Sequence, residues 1–262
     1  MQQPGGRLAI TRDRYDAVLF DLDGVITDTA NLHAECWKQM FDEYLQERAT
    51  ARGEPFRPFD LARDYRLYVD GKPRFDGVRD FLTSRGIRLP EGSVDDPPQA
   101  ETVGGLGNRK NELVNKAIRD GRVVPYDGSV KLVHQLRQRG FKTAVVTSSQ
   151  NCAAVLAVAK LDNSFDVRVD GITIRAQRLR GKPAPDTFLM AAKLLGIEPA
   201  RAVVVEDAIS GVEAGATGNF GLVIGVARKG NCDELRRHGA HLTVKDLAEL
   251  ADGPPAHAAL GE

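Results

Sequence analysis

Cysteine is scarce in this chain. Three thiols, Cys36, Cys152 and Cys232, stand far apart in 262 residues, odd in number and without a CxxC pair. That spacing assembles neither a disulfide framework nor a zinc site. No charge of one sign prevails, since 36 basic side chains are matched by 36 acidic ones. General nucleic-acid binders usually carry a marked basic excess, so no nucleic-acid partner is expected. Long apolar runs are missing too: the longest are short pieces such as Val203-Val204-Val205, far below the ~20 residues of a membrane helix. No membrane partner is expected either. Met1 to Arg14 carries Gly5-Gly6 and several charges in place of an apolar signal core. These absences point to a soluble, cytoplasmic protein, long enough to bury a core without covalent staples.

What is present is a rhythm. Val18-Leu19-Phe20 reads as a short buried strand that ends in Asp21-Leu22-Asp23-Gly24. Thr143 to Thr147 repeats the design and runs into Ser-Ser-Gln-Asn; Ala202 to Val205 runs into Glu-Asp, and Gly221 to Val226 into Ala-Arg-Lys-Gly. Helical patterns lie between them, over Ser129 to Arg139, Cys152 to Lys160, Pro185 to Leu195 and Val212 to Ala216. Apolar strands alternating with helices predict an α/β fold, a Rossmann-like doubly wound parallel sheet covered on both faces. In such sheets ligands bind beyond the carboxyl ends of the strands, so residues 21–28, 147–151, 182 and 206–207 should converge.

Residues from about 34 to 115 break the rhythm. They hold a long amphipathic run (Ala34 to Arg48), a Pro- and Gly-rich middle and a second run from Lys110 to Asp120, with no convincing strand. This reads as a helical insertion with an ordinary loop over Pro90 to Gly107. Gly104-Gly105-Leu106-Gly107 lacks the strand-loop-helix setting that a phosphate-cradling loop requires. The expected division is a core of residues 14–33 and 118–250, a helical cap of residues 34–117, and flexible tails at 1–13 and 251–262.

The chemistry sits at the strand ends. Asp21 and Asp23, at i and i+2, project to the same side of an extended segment, so one can attack an electrophile while the other handles a proton. Taken alone, DxDG is as often a simple turn. Glu206-Asp207 offers adjacent oxygen ligands suited to Mg²⁺. Lys182, between Gly181 and Pro183, can neutralise carboxylates and hold a phosphoryl oxygen. Thr147, Ser148 and Ser149 supply hydroxyl donors for phosphate, although such residues also cap helices.

In their order and strand-end placement, FDLDGV (20–25), VVTSSQN (145–151), GKPAPD (181–186) and VVEDAISG (204–211) resemble the four motifs of the haloacid dehalogenase superfamily. FDLDGVITDTANLHAECW (20–37) is similar to the first motif of the β-phosphoglucomutase family, with Thr29, His33 and Trp37 as expected substrate-side residues. The resemblance implies Asp21 as nucleophile, Asp23 as general acid/base, and Thr147 and Lys182 as the rest of the catalytic set. It implies Mg²⁺ held by Asp21, the Asp23 backbone carbonyl and Asp207, with Glu206 close by. Phosphate would be bound by Thr147, Ser149, Asn151 and Lys182. In the cap, Arg74 of VDGKPRFDGV (69–78) and Lys110 of NRKNEL (108–113) are the candidates for the non-reacting phosphate, Arg109 being an alternative to Lys110.

The implied activity interconverts β-D-glucose 1-phosphate and β-D-glucose 6-phosphate through an aspartyl phosphate and β-glucose 1,6-bisphosphate. A Mg²⁺-dependent sugar-phosphate phosphatase on the same scaffold is the alternative. A silent sugar-phosphate-binding module is a third reading, against which the intact Asp21, Asp23, Lys182 and Asp207 argue. The resemblance further implies a monomer whose partner is a small sugar phosphate.

Overall fold

The computed structural model describes residues 10–228 and 230–251. Among these, six strands form one sheet: β1 (Ala17–Phe20), β2 (Lys142–Val146), β3 (Val167–Val169), β4 (Ala202–Glu206), β5 (Leu222–Val226) and β6 (Leu242–Val244). Their order is β3-β2-β1-β4-β5-β6, and every pairing is parallel. The helices are α1 (Thr29–Arg52), α2 (Arg74–Ser84), α3 (Val103–Arg119), α4 (Asp127–Gln138), α5 (Cys152–Val158), α6 (Gly171–Ala176), α7 (Asp186–Leu195), α8 (Ile209–Thr217) and α9 (Cys232–Arg237). A π-helical turn covers Tyr65–Val69.

The strands are apolar throughout because both faces are buried. Within β1, Val18 and Phe20 join a cluster with Val145, Val203 and Leu132 on one side, while Ala17 and Leu19 join Ala144, Val204 and Phe188 on the other. The alternation follows from successive Cβ atoms pointing to opposite faces. Register then builds the site: Phe20 pairs with both Val145 and Val205. Asp21, Thr147 and Glu206 consequently leave the sheet at one edge, beside the β1/β4 neighbours where the strand order reverses. That is where open α/β sheets bind ligands. The α/β doubly wound class expected from the sequence is the fold observed.

Between Thr29 and Arg119 the chain carries α1, the π-helical turn, α2 and α3, joined by loops, and owns a third cluster with Trp37, Phe41, Phe59 and Phe81 at its centre. Phe41 stacks on Trp37 and Phe59, each with ring centroids 5.3 Å apart, and lies 4.1 Å from Phe81. The rings form a separate core. α1 runs without interruption from the sheet edge into this cluster, so residues 33 and 34 lie within one continuous helix.

Several expectations need correction. The loop expected over Pro90 to Gly107 ends at Thr102, because α3 starts at Val103 rather than Lys110. Thr102 caps it, its side chain accepting from the Gly105 N–H at 2.9 Å. Gly104 and Gly105 are buried in that first turn, where a Cβ would strike the carbonyls of Ser93 and Ala100. The glycines thus serve close packing. The helices α2, α6 and α9 and the short strands β3 and β6 add to the elements read from sequence. Of the tails, residues 1–9 and 252–262 lie outside the described residues. Ile10 is buried, its carbonyl accepting from the Arg139 guanidinium at 2.7 Å.

Candidate active site

A cavity of about 340 Å³ opens beyond the carboxyl ends of β1, β2 and β4, between the sheet and the helical insertion. Asp21 leaves β1 directly into it and is 6% exposed. Lys182 Nζ donates to Asp21 Oδ1 at 2.5 Å, to Glu206 Oε1, and to the Val146 carbonyl at 3.2 Å. The other Glu206 oxygen accepts from the Ala208 N–H at 2.9 Å. Two buried carboxylates therefore share one ammonium. Burial pushes the Asp21 carboxyl well above its ordinary range, the Lys182 charge opposing this and Glu206 adding to it. Burial would lower Lys182, but Asp21 and Glu206 outweigh it and hold the amine raised.

Carboxylate oxygens of Asp21, Glu206 and Asp207 lie within 4.8 Å of one another. This all-oxygen, anionic donor set fits a hard divalent cation, and the surplus of buried negative charge favours one. Gly24 permits the arrangement. Its φ of +91° suits glycine, and a Cβ there would overlap the Asp207 carboxylate.

The Asp23 carboxylate turns away from this group. It accepts from Thr147 Oγ1 at 3.1 Å and from the Thr29 hydroxyl, and lies 3.6 Å from His33 Nε2. Thr29 is in turn bonded to Thr27, 2.8 Å between hydroxyls. Neither Thr29 nor Lys182 lines the cavity; each is hydrogen-bonded to an aspartate that does. Lys110 Nζ lies 2.8 Å from His33 Nδ1 and 4.9 Å from the Trp37 ring centroid. Trp37 lines the cavity while its ring stacks on Phe41, so it belongs to wall and core at once. Arg109 points elsewhere, its guanidinium donating to the Pro98 carbonyl at 2.9 Å.

The loop after β2 is folded by its own side chains. The Ser149 N–H donates to Thr147 Oγ1 at 3.1 Å, and the Asn151 N–H donates to Ser149 Oγ at 3.1 Å. From this loop the core reaches the insertion: Ser148 Oγ donates to the Gly71 carbonyl at 2.9 Å, and Asn151 Nδ2 to Asn111 Oδ1 at 3.0 Å. Arg74 donates to Asn108 Oδ1 at 3.1 Å and to Gln150 Oε1 at 3.2 Å. The structure thus gathers Asp21, Asp23, His33, Trp37, Arg74, Lys110, Thr147, Ser149, Asn151, Glu206 and Asp207 around one space.

Sequence reasoning missed Gln150, Asn108, Asn111, Arg175 and Arg178. Gln150 stood within the quoted VVTSSQN motif, and the two asparagines flank Arg109-Lys110. Arg175 and Arg178 carried no local signal.

Residues 15–219 match the haloacid dehalogenase-like hydrolase family. The chain is 55% identical over 241 residues to a β-phosphoglucomutase of Mycobacterium tuberculosis, covering 91% of this chain and 92% of that one. It is 29% identical to a β-phosphoglucomutase of Bacillus subtilis, covering 89% and 91% of the two chains. A solved β-phosphoglucomutase from Clostridium difficile shares the fold, with a TM-score of 0.71 at 24% identity over 90% of this chain and 93% of that one. Matched over most of its length by family and by relatives, the chain belongs to the haloacid dehalogenase-like hydrolases, within their β-phosphoglucomutase family.

Proposed function

We propose that the protein is a β-phosphoglucomutase, converting β-D-glucose 1-phosphate to β-D-glucose 6-phosphate through a phosphorylated Asp21. The observation that carries this reading is the division of the cavity. A buried carboxylate paired with Lys182 lies on the core side, and the cations Arg74 and Lys110 lie on the insertion side. A phosphatase needs only the first half of that arrangement.

In the reaction, phosphorylated Asp21 gives its phosphoryl group to the C6 hydroxyl of β-glucose 1-phosphate, and Asp23 takes the hydroxyl proton. The resulting 1,6-bisphosphate reorients. Asp21 Oδ then attacks the C1 phosphorus, Asp23 returns the proton to the departing O1, and glucose 6-phosphate leaves. Lys182 neutralises charge on the phosphoryl oxygens throughout, and Thr147, Ser149 and Asn151 orient them. Thr29 and Thr147 hold the Asp23 carboxylate, and His33 faces it. Asp21, the Asp23 backbone carbonyl and Asp207, beside Glu206, would hold Mg²⁺, which would supply further charge neutralisation at the transferring group.

In this reading residues 34–117 are the cap, residues 14–33 and 118–250 the core, and closure of one on the other excludes water from the aspartyl phosphate. Direct core–insertion bonds, from Ser148 to Gly71 and from Ser210 to Asp70, support a closed state. The reading also carries a cytoplasmic monomer acting on a free sugar phosphate. No helix among the described residues is long and apolar enough to cross a membrane.

The test supplies β-glucose 1-phosphate with a trace of the 1,6-bisphosphate and follows glucose 6-phosphate and free phosphate together. Glucose 6-phosphate forming well ahead of free phosphate supports the mutase. Stoichiometric free phosphate makes the protein a sugar-phosphate phosphatase.

A further inference from the structure

The cavity wall away from the Asp21 cluster carries more positive charge than its own neighbours neutralise. Lys72 is paired with Asp80 at 2.6 Å, and Lys110 is held by His33. Arg74 bonds only neutral amide oxygens, and its buried Nε has no partner. Arg175, on α6, and Arg178, just after it, line the same cavity. Among the described residues, their guanidinium groups hold no hydrogen bond or ion pair.

Arg175 lies near enough to Arg74 to be felt. Burial, and then the Arg175 charge, lower the Arg74 guanidinium to about 10. Two like charges thus line one space, Arg74 from the insertion and Arg175 from the core. Such an arrangement is unfavourable when empty and favourable around an anion. The core loop nearest to Arg74 cannot supply the second charge, because Ser148, Ser149, Gln150 and Asn151 offer only hydroxyls and amides.

We propose that Arg175, assisted by Arg178, is the core's cationic half of a site for the non-reacting phosphate of a sugar bisphosphate, with Arg74 as the insertion's half. The identity of that ligand rests on the mutase reading. A phosphate there accepts charge-assisted hydrogen bonds from both sides of the cleft, so the bisphosphate itself holds the insertion on the core. Arg175 is exposed in the structure, so its removal leaves the packed core intact while the contact is partly screened by solvent.

The experiment measures binding without turnover. Asp21→Asn protein is titrated calorimetrically with β-glucose 1,6-bisphosphate, alone and with Arg175→Ala, Arg175→Lys or Arg237→Ala added. Arg237 is an exposed α9 residue outside the cavity. Arg175→Ala should weaken binding roughly tenfold, the scale of one partly screened charge-assisted contact. Arg175→Lys should recover part of the loss, added salt should shrink the difference, and Arg237→Ala should match its parent. Equal affinity with and without Arg175 overturns the proposal. Failure of the mutase reading shows elsewhere, as free phosphate in place of glucose 6-phosphate from the wild-type enzyme. In that event a tenfold loss at Arg175 still establishes the second anion site.

Discussion

Lys110 of α3 lies 2.8 Å from Nδ1 of His33 on α1, and the other ring nitrogen of that histidine faces Asp23 at 3.6 Å. Burial, and then the Lys110 charge, lower His33 to about 4, so the ring is neutral at working pH. An ammonium at Lys110 can only donate, which leaves the ring proton on Nε2, buried 3.6 Å from the Asp23 carboxylate and without a hydrogen-bond partner among the described residues. One imidazole thus stands between the insertion's Lys110 and the proposed acid/base.

This link should titrate. Burial lowers Lys110 to about 8 from an ordinary 10.5, so its proton, and with it the donor to His33, is lost as pH rises through about 8. Mutase kcat/KM should fall above that pH, and the alkaline limb should be absent in Lys110→Met, whose activity is lower throughout. Stability moves the other way. A lysine depressed in the folded state penalises folding below about pH 8, and the penalty fades between about 8 and 10.5. A pH profile of Lys110→Met that keeps the wild-type limb assigns the titration to another group.

Asp21 should be the residue that carries phosphate. Asp21→Asn keeps the shape but removes the nucleophile's charge, so turnover should fall by several orders of magnitude. Labelling wild-type protein with a phosphoryl donor and mapping the modified peptide checks the assignment. Label at any other side chain overturns it.

The Mg²⁺ requirement should depend on a glycine as well as on a carboxylate. Asp207→Ala removes one oxygen donor and should raise the Mg²⁺ concentration for half-maximal activity strongly. Gly24→Ala, whose methyl overlaps the Asp207 carboxylate at φ +91°, should raise it too while leaving every carboxylate in the sequence. Mg²⁺ titration of initial rates measures both. A wild-type Mg²⁺ dependence in Asp207→Ala would move the ligand role to Glu206 or another acid.

Arg74 should separate transfer from hydrolysis. Loss of a charge-assisted phosphate contact typically costs ~1.5–3 kcal/mol, roughly tenfold to a hundredfold. Arg74→Ala should lose mutase flux on that scale and keep much of its slow hydrolysis of small phosphate esters. The two activities falling in step would make Arg74 a structural side chain, bonded to Asn108 and Gln150 for packing alone.

The strands β1, β2, β4 and β5 could be read from the chain because burial on both faces demands unbroken apolar runs, and AVLF, TAVV, AVVV and LVIGV supply them. The edge strands β3 (VRV) and β6 (LTV) could not, since three residues with an open edge need no such run. The core catalytic residues were legible for a related reason. Asp21, Thr147 and Glu206 each stand just past or at the end of a buried strand, so local pattern alone marks their positions. The start of α3 was not legible, because Gly104 and Gly105 argue against helix by propensity while Thr102 capping and close packing override it.

The second half of the cavity belongs to tertiary structure. Arg74, Gln150, Lys110 and Arg175 are scattered over about a hundred positions and share no motif. They meet only because the insertion's aromatic core orients α2 and α3 over the sheet edge, while α6 follows β3 to the same rim. Local hydrophobic period and strand-end chemistry are properties of neighbouring residues, and the sequence by itself determined them: the sheet, the nucleophile and its acidic partners. Resemblance names Arg74 and Lys110, but that they share one cleft with Arg175 depends on how two separate cores pack, and only the folded chain decides that.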